Sequence, residues 1–317
     1  MMSRWTATNI PPQSGRIALI TGTGGLGLED ARALARAGCR TIIAGRNRHK
    51  GLEAVEQILR EFPGAKVSFE LLDLADLESV AACAERLGKV LDHLDILINN
   101  AAVMVPPERK VTKDGFELQL GTNYLGHFAL TGRLLPLLRK SSAARVVSLS
   151  SVAALRGRID LQDLNARQVY KPMPAYAQSK LACLIFSFEL QRRSAANGWG
   201  VQSIAAHPGI TRTNLIHNGA GPHSIQGRIR TFFPFLFQPA AQGALPTLYA
   251  ATAPDAAGGG YYGPDGIAGL RGYPTASKIP SRALDEACAA RLWDVSEQLT
   301  GFPFAAAPAN GAAEEIH

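Results

Sequence analysis

The chain has 317 residues, 46% of them hydrophobic, which is long for one domain, short for two, and sufficient for one large α/β core. Its formal net charge is +7, a balance that suits nucleic acid, an anionic membrane or a polyphosphate ligand. No Lys/Arg run of nucleic-acid-binding length occurs and "RNRHK" is the densest patch, so no nucleic-acid partner is expected.

The first fifteen residues, "MMSRWTATNIPPQSG", contain no apolar stretch, and no run of about 18 apolar residues follows. A soluble, cytoplasmic protein is therefore expected. Apolar, β-branched runs then alternate with helical patterns. Strands are predicted at 16–21, 40–45, 66–72, 94–99, 144–150 and 200–206. Helices are predicted at 28–37, 48–61, 76–90, 115–139 and 176–197. The strand runs are nearly continuous rather than alternating, as in strands buried on both faces of a parallel sheet. Gly38 sits where a C-cap glycine would end the first helix. This order predicts a single-domain Rossmann-type α/β fold, a doubly wound parallel sheet with helices on both faces. Its ligand would bind outside the carboxyl ends of the strands. One catalytic domain is expected over 1–305, with 306–317 as a flexible tail. Cys39, Cys83, Cys183 and Cys288 lie far apart with no C-x-x-C pair, so they read as core thiols and no metal site is expected.

The stretch "TGTGGLG", Thr21 to Gly27, follows the first strand and opens the first helix. Gly22, Gly24 and Gly27 have G-x-G-x-x-G spacing. Gly22 would permit the tight turn, Gly24 or Gly25 would let backbone approach a pyrophosphate, and Gly27 would let helix pack on strand. After the second strand, "AGRN" holds no acid to bond a ribose 2′-hydroxyl; Arg46 stands there instead. A guanidinium matches a 2′-phosphate bidentately, which favours NADP(H) over NAD. Asp73, in "LLDLAD", ends the third strand within reach of the adenine.

In "AYAQSKLA", Tyr176 and Lys180 are four apart on a predicted helix and share a face. A tyrosine of pKa about 10 is a poor acid–base catalyst at neutral pH. An ammonium at about 4 Å, at an effective dielectric near 20, is worth roughly 4 kcal/mol, or up to about three pKa units. That would poise the phenol near neutrality. Ser150 and Ser151, at the end of the fifth strand, offer a hydroxyl to hold a substrate oxygen.

These pieces come in a characteristic order: the glycine turn, "NNAA", "NYLG", "SLSS", "YAQSK" and "HPGITRT". Over nearly its whole length the chain resembles a short-chain dehydrogenase/reductase. "AGRN", the insert "RGRIDLQDLNARQVYKPMPA" and "LWDVSEQLTG" resemble the retinol-dehydrogenase-like and protochlorophyllide-reductase-like branch. The resemblance implies that Tyr176 is the acid/base and that Lys180 lowers its pKa and binds the nicotinamide ribose. Ser151 would bond the substrate oxygen, and Asn123 would complete a proton relay through a bound water. Cofactor contacts would come from Thr21, Gly22, Gly25, Leu26 and Gly27, from Arg46, Asp73 and Leu74, from Asn99 and Ala101, and from Pro208, Gly209 and Thr213. Two departures stand out. The family's turn is T-G-x-x-x-G-x-G and this one is a residue shorter, so its last motif glycines are Gly25 and Gly27. Ala102 replaces the usual glycine of "NNAG".

The segment of about 214–242 would be the substrate loop. Its Phe232, Phe233, Phe235, Leu236 and Phe237 suit a hydrophobic alcohol, aldehyde or ketone, or a membrane contact; His217 and His223 lie in the same segment. The insert 156–174 would form another wall. Helices 115–139 and 176–197 resemble those that pair subunits in the family, which implies a homodimer or homotetramer. The reading is an NADP-dependent oxidoreductase. Its alternatives are a carbon–carbon double-bond reductase on the same scaffold and a non-catalytic NADP-binding sensor.

Overall fold

The apolar runs assemble into one eight-stranded sheet in the computed structural model, which describes residues 4–211 and 238–304. The strands are β1 (Ile17–Thr21), β2 (Arg40–Gly45), β3 (Val67–Leu71), β4 (Ile96–Asn99), β5 (Ala144–Leu149), β6 (Val201–Ala206), β7 (Tyr261–Pro264) and β8 (Pro274–Ala276). Their order is β3-β2-β1-β4-β5-β6-β7-β8. Each neighbouring pair is parallel except β7–β8, which is antiparallel. The helices are α1 (Leu26–Arg36), α2 (Arg48–Glu61), α3 (Leu77–Val90), α4 (Gly126–Leu138), α5 (Pro172–Ala196), α6 (Leu245–Thr252) and α7 (Glu286–Thr300).

The continuous apolar character of the strands follows from a core on each face. Ala18 and Ile20 of β1 pack with Ala31 and Leu34 of α1, Ile58 of α2 and Leu248 of α6. Ile17 and Leu19 pack with Cys83 of α3, Phe128 of α4, Leu184 of α5 and Trp293 of α7. The doubly wound sheet expected from the sequence is the one observed. Polar residues set the helix starts. Asn47 Oδ1 accepts from Lys50 N at 3.0 Å, and Asp76 Oδ1 accepts from Glu78 N at 3.0 Å and Ser79 N at 3.3 Å. Gly38, at φ 91°, turns the chain after α1. Pro172 takes the first position of α5, whose missing N–H is no loss there, so the helix begins four residues before the predicted 176.

Two differences carry consequences. β7 and β8 escaped the sequence reading because they are short and hold Gly263, Pro264 and Pro274; pairing of β7 to β6 and of β8 to β7 makes them strands, not local propensity. The predicted helix 115–139 is in fact three pieces: a short turn Leu118–Leu120, a π-helical turn Gly121–Leu125, and α4. Close approaches accompany the π-helical turn. A Cβ on Gly126 would stand 2.4 Å from the Leu74 carbonyl, and one on Gly121 would stand 2.4 Å from Thr112 Cγ2. π-turns of this kind cluster at functional sites. No helix among the described residues is long and apolar enough to cross a membrane.

Candidate active site

The strand order reverses between β1 and β4, which opens a crevice at their carboxyl ends. The glycine turn lies there. Gly22, at φ 103°, donates its N–H to Ala44 O at 2.7 Å, pinning the turn to β2. Asn100 Nδ2 donates to Thr21 O at 2.7 Å, pinning it to β4. A Cβ on Gly27 would sit 2.5 Å from Gly22 O and 2.6 Å from Asn100 Nδ2, so only glycine fits the helix against the strand. Gly25, at φ 56°, enters α1 with no side chain capping the helix. Gly24 has open space on its Cβ side. Uncapped first-turn amides beside an open glycine form an anion-binding helix start. The turn that is one residue short thus keeps the open glycine and the uncapped helix start that a phosphate would need. Gly27→Ala is expected to cost about 1–3 kcal/mol by overpacking, seen as a lower urea midpoint; an unchanged midpoint would show slack in the turn.

Arg46 follows directly on β2 and is exposed, and among the described residues it has no ion-pair partner. Gly45, before it, is where a Cβ would meet Thr23 Cγ2 at 2.6 Å, so the turn and the end of β2 are in contact. Asp73 is half-buried, and its Oδ1 accepts from Ala75 N at 2.9 Å. Leu74 is buried.

The two asparagines of "NNAA" have opposite fates. Asn99 is buried and donates to Thr131 Oγ1 at 3.0 Å, within the core. Alternation along β4 turns its side chain under α4. Asn100, which was not singled out, holds the glycine turn. Ala101 contributes its backbone N–H to Thr21 Oγ1 at 2.9 Å.

The candidate catalytic residues converge from β5, the π-turn and α5. Tyr176 is buried, and burial pushes its phenol up to about 12, against the neighbouring Ser151 side chain, which as a hydrogen-bonding partner draws it down. Ser150 is spent on structure, donating to Lys180 O at 2.8 Å. Ser151 is half-buried, caps the short helix Val152–Arg156 through Ala153 N at 3.2 Å, and faces the phenol. The geometry thus chooses Ser151 over Ser150. Lys180 is buried and donates from Nζ to Leu149 O at 2.9 Å; burial pulls its pKa down. The four-residue spacing does place both side chains on one face. However, the ammonium reaches back to β5 and is not among the groups that shift the phenol. Desolvation is the largest influence on the phenol, with Ser151 drawing it down.

Asn123 lies in the π-turn. Its Nδ2 donates to Val103 O and Ser179 Oγ, both at 3.0 Å, and its Oδ1 accepts from Val103 N at 2.8 Å. Its carbonyl accepts from His127 Nδ1 at 2.9 Å and Cys183 Sγ at 3.1 Å. A carbonyl oxygen has two lone pairs, so a relay water would have to use the remaining lone pair of Oδ1. Pro208 and Gly209 follow β6. Gly209, at φ 64°, lies where a Cβ would meet Leu270 O at 2.3 Å. Thr213, His217, His223 and the phenylalanine cluster at 232–237 lie outside the described residues.

The insert is anchored to the segment that follows β4. Tyr170 Oη donates to Pro106 O at 2.8 Å, Gln119 Nε2 donates to Pro172 O at 3.1 Å, and Glu117 N donates to Asn165 Oδ1 at 2.9 Å. These bonds tie 156–174 to the loop after β4. In that loop Val105 has φ 53°, a strained value for a β-branched residue, and its N–H bonds Gln119 Oε1 at 2.8 Å.

A doubly wound sheet with a glycine turn opening a helix at its switch point, and a buried Tyr–Ser pair at the carboxyl edge of β5, is the arrangement of a dinucleotide-dependent oxidoreductase scaffold. The family model described as short chain dehydrogenase matches residues 16–220, and the chain belongs to that family. It is 40% identical to polyprenol dehydrogenase of Mus musculus over 92% of this chain and 86% of that one. It is 41% identical to retinol dehydrogenase 12 of Mus musculus over 90% of this chain and 87% of that one. A solved protein of Mycobacterium paratuberculosis shares 41% identity with a TM-score of 0.79, covering 95% of this chain and 99% of that chain. A short-chain dehydrogenase of Escherichia coli CFT073 solved with NADPH shares 26% identity with a TM-score of 0.60, covering 76% of this chain and 92% of that one. The chain is a short-chain oxidoreductase of the retinol-dehydrogenase-like branch.

Proposed function

We propose that this enzyme transfers hydride between NADP(H) and a hydrophobic alcohol, aldehyde or ketone, with Tyr176 as acid/base. The observation that carries the reading is the buried Tyr176 phenol beside Ser151, at the carboxyl edge of β5. The bound nicotinamide supplies or accepts the hydride. The chain's own residues do the rest. Ser151 holds the substrate oxygen, and Tyr176 gives that oxygen a proton in reduction and takes it in oxidation. Uncapped amides of α1 and the open side of Gly24 suit the pyrophosphate, and unpaired Arg46 suits a 2′-phosphate. The polyprenol and retinol dehydrogenases resembled by this chain bear the names of hydrophobic alcohols, which supports that substrate class.

The test is a panel of long-chain alcohols, aldehydes, ketones and enones assayed with NADPH and NADH, with products identified. Carbonyl or alcohol turnover is expected; saturation of a carbon–carbon double bond alone would replace the reading. Arg46→Ala should weaken NADPH binding about 10- to 100-fold, the worth of one charge-assisted phosphate contact, and leave NADH nearly unchanged. Equal loss for both cofactors in a fluorescence titration would remove Arg46 as the 2′-phosphate reader.

A further inference from the structure

His127 belongs to α4, is buried, and is not part of the machinery described so far. Its two ring nitrogens have different partners. Nδ1 lies 2.9 Å from the Asn123 carbonyl, which can only accept, so Nδ1 carries a proton. Burial pushes the ring's pKa down to about 4, against the upward pull of that carbonyl, and the ring is neutral. Nε2 therefore holds a lone pair, and it lies 2.9 Å from Thr21 Oγ1. The hydroxyl has one proton and gives it to Nε2, since its other acceptor, Ile98 O, is farther at 3.3 Å. The same oxygen accepts the N–H groups of Asn100 and Ala101, each at 2.9 Å.

One continuous, polarised chain of hydrogen bonds results. It runs from the amides after β4, through Thr21 at the mouth of the glycine turn, through the imidazole, to the carbonyl of Asn123 in the π-turn. Thr21 O also accepts from Asn100 Nδ2, so the first links lie in the wall of the phosphate cradle. The last link is on the residue that clamps Val103 to Ser179, three residues after Tyr176 on α5. The Asn123 carbonyl can only accept, and it fixes the ring in one orientation and one tautomer.

We infer that His127 is a positioning residue: as its Nδ1–H tautomer it fixes the Asn123 carbonyl, and through Nε2 it takes its own orientation from Thr21, so the glycine turn and the catalytic helix are held in one register. This rests on the function proposed above for the rate readout, but not for the tautomer. The prediction is a split between rate and affinity. His127→Phe should lower kcat about 10- to 100-fold while changing NADPH affinity less than about threefold, because the ring supports the π-turn and does not line the cradle. Thr21→Val should also lower kcat. The double variant should be little worse than the worse single one, since both break one chain. His127→Asn, which keeps a donor near the Nδ1 position, should recover part of the lost rate.

The test is this double-mutant cycle on the full chain, with NADPH and a substrate turned over by the wild type, together with ¹⁵N spectra of the His127 ring. The expected spectrum shows a protonated Nδ1 and an unprotonated Nε2, and Thr21→Val shifts Nε2 selectively. Where His127→Phe does not fold, His127→Gln takes its place in the cycle. Additive losses in kcat, an unchanged rate in His127→Phe, or an Nε2–H tautomer would each overturn the inference. If the wild type turns over no substrate, the proposed function fails, and the ring spectrum with its response to Thr21→Val still decides the placement of His127.

Discussion

Tyr176→Phe is expected to lower kcat by about a hundred- to ten-thousandfold, the range of general acid–base catalysis, with NADPH affinity within about threefold of wild type. The ring is buried among its neighbours and phenylalanine fills the same space, so the loss reads the hydroxyl and not the packing. The direction of reaction gives a second signature. Reduction needs the protonated phenol, which predominates at neutral pH when burial holds the pKa up to about 12. Oxidation needs the phenolate, whose fraction grows about tenfold per pH unit below that value. Wild-type alcohol oxidation should therefore climb with pH through the alkaline range, and carbonyl reduction should not. The variant should show neither the rate nor the climb. Initial rates in both directions across pH check this; undiminished turnover by Tyr176→Phe would remove the residue from the mechanism.

Asp30→Asn should stabilise the protein at pH 8, because asparagine fills the same space as the protonated aspartate and cannot ionise. Asp30 lies on the buried face of α1 with Gly27, Ala31 and Leu34 and is wholly inaccessible to solvent. Neither carboxylate oxygen has a hydrogen-bond partner among the described residues. Burial, and then the charge of Glu29, raise its pKa well above the usual aspartate value. The sign follows from linkage. Below the unfolded pKa, about 3.9, both states are protonated and nothing is lost. Above it the unfolded chain releases a proton that the folded one retains, so stability falls as pH rises towards the folded value. Asparagine is nearly isosteric and never ionises. Its advantage should vanish near pH 4 and grow with pH. Urea denaturation of both proteins at pH 4, 6 and 8 measures this; an advantage independent of pH would show that the carboxylate finds a partner in solution.

Much of this molecule is determined locally by its chain. The β-branched runs with helical patterns between them specify a parallel doubly wound sheet, because strands covered on both faces cannot be polar on either. Gly22, Gly25 and Gly27 mark the glycine turn, since two adopt positive φ and the third has no room for a methyl group. Tyr176 and Lys180 were legible from spacing, as a helix sets i and i+4 on one face whatever surrounds it.

What the spacing could not decide was which partner each side chain finds. Tertiary contact sent Lys180 Nζ to Leu149 O, gave Ser150 to the α5 backbone and Ser151 to the phenol, and turned Asn99 into the core while Asn100 took the glycine turn. Adjacent residues with identical chemistry differ only in the face that the strand presents, and that is set by packing. The π-turn has the same origin: "GTNYL" carries no sequence mark of a π-helix, and close contacts of Gly121 and Gly126 with Thr112 and Leu74 accompany its wider winding. His127 reads in the sequence as one polar residue in an apolar helix. Only the approach of α4 to the end of β1 gives its two nitrogens their partners, because hydrogen bonds depend on position in space and the chain brings Thr21 and His127 together across 106 residues.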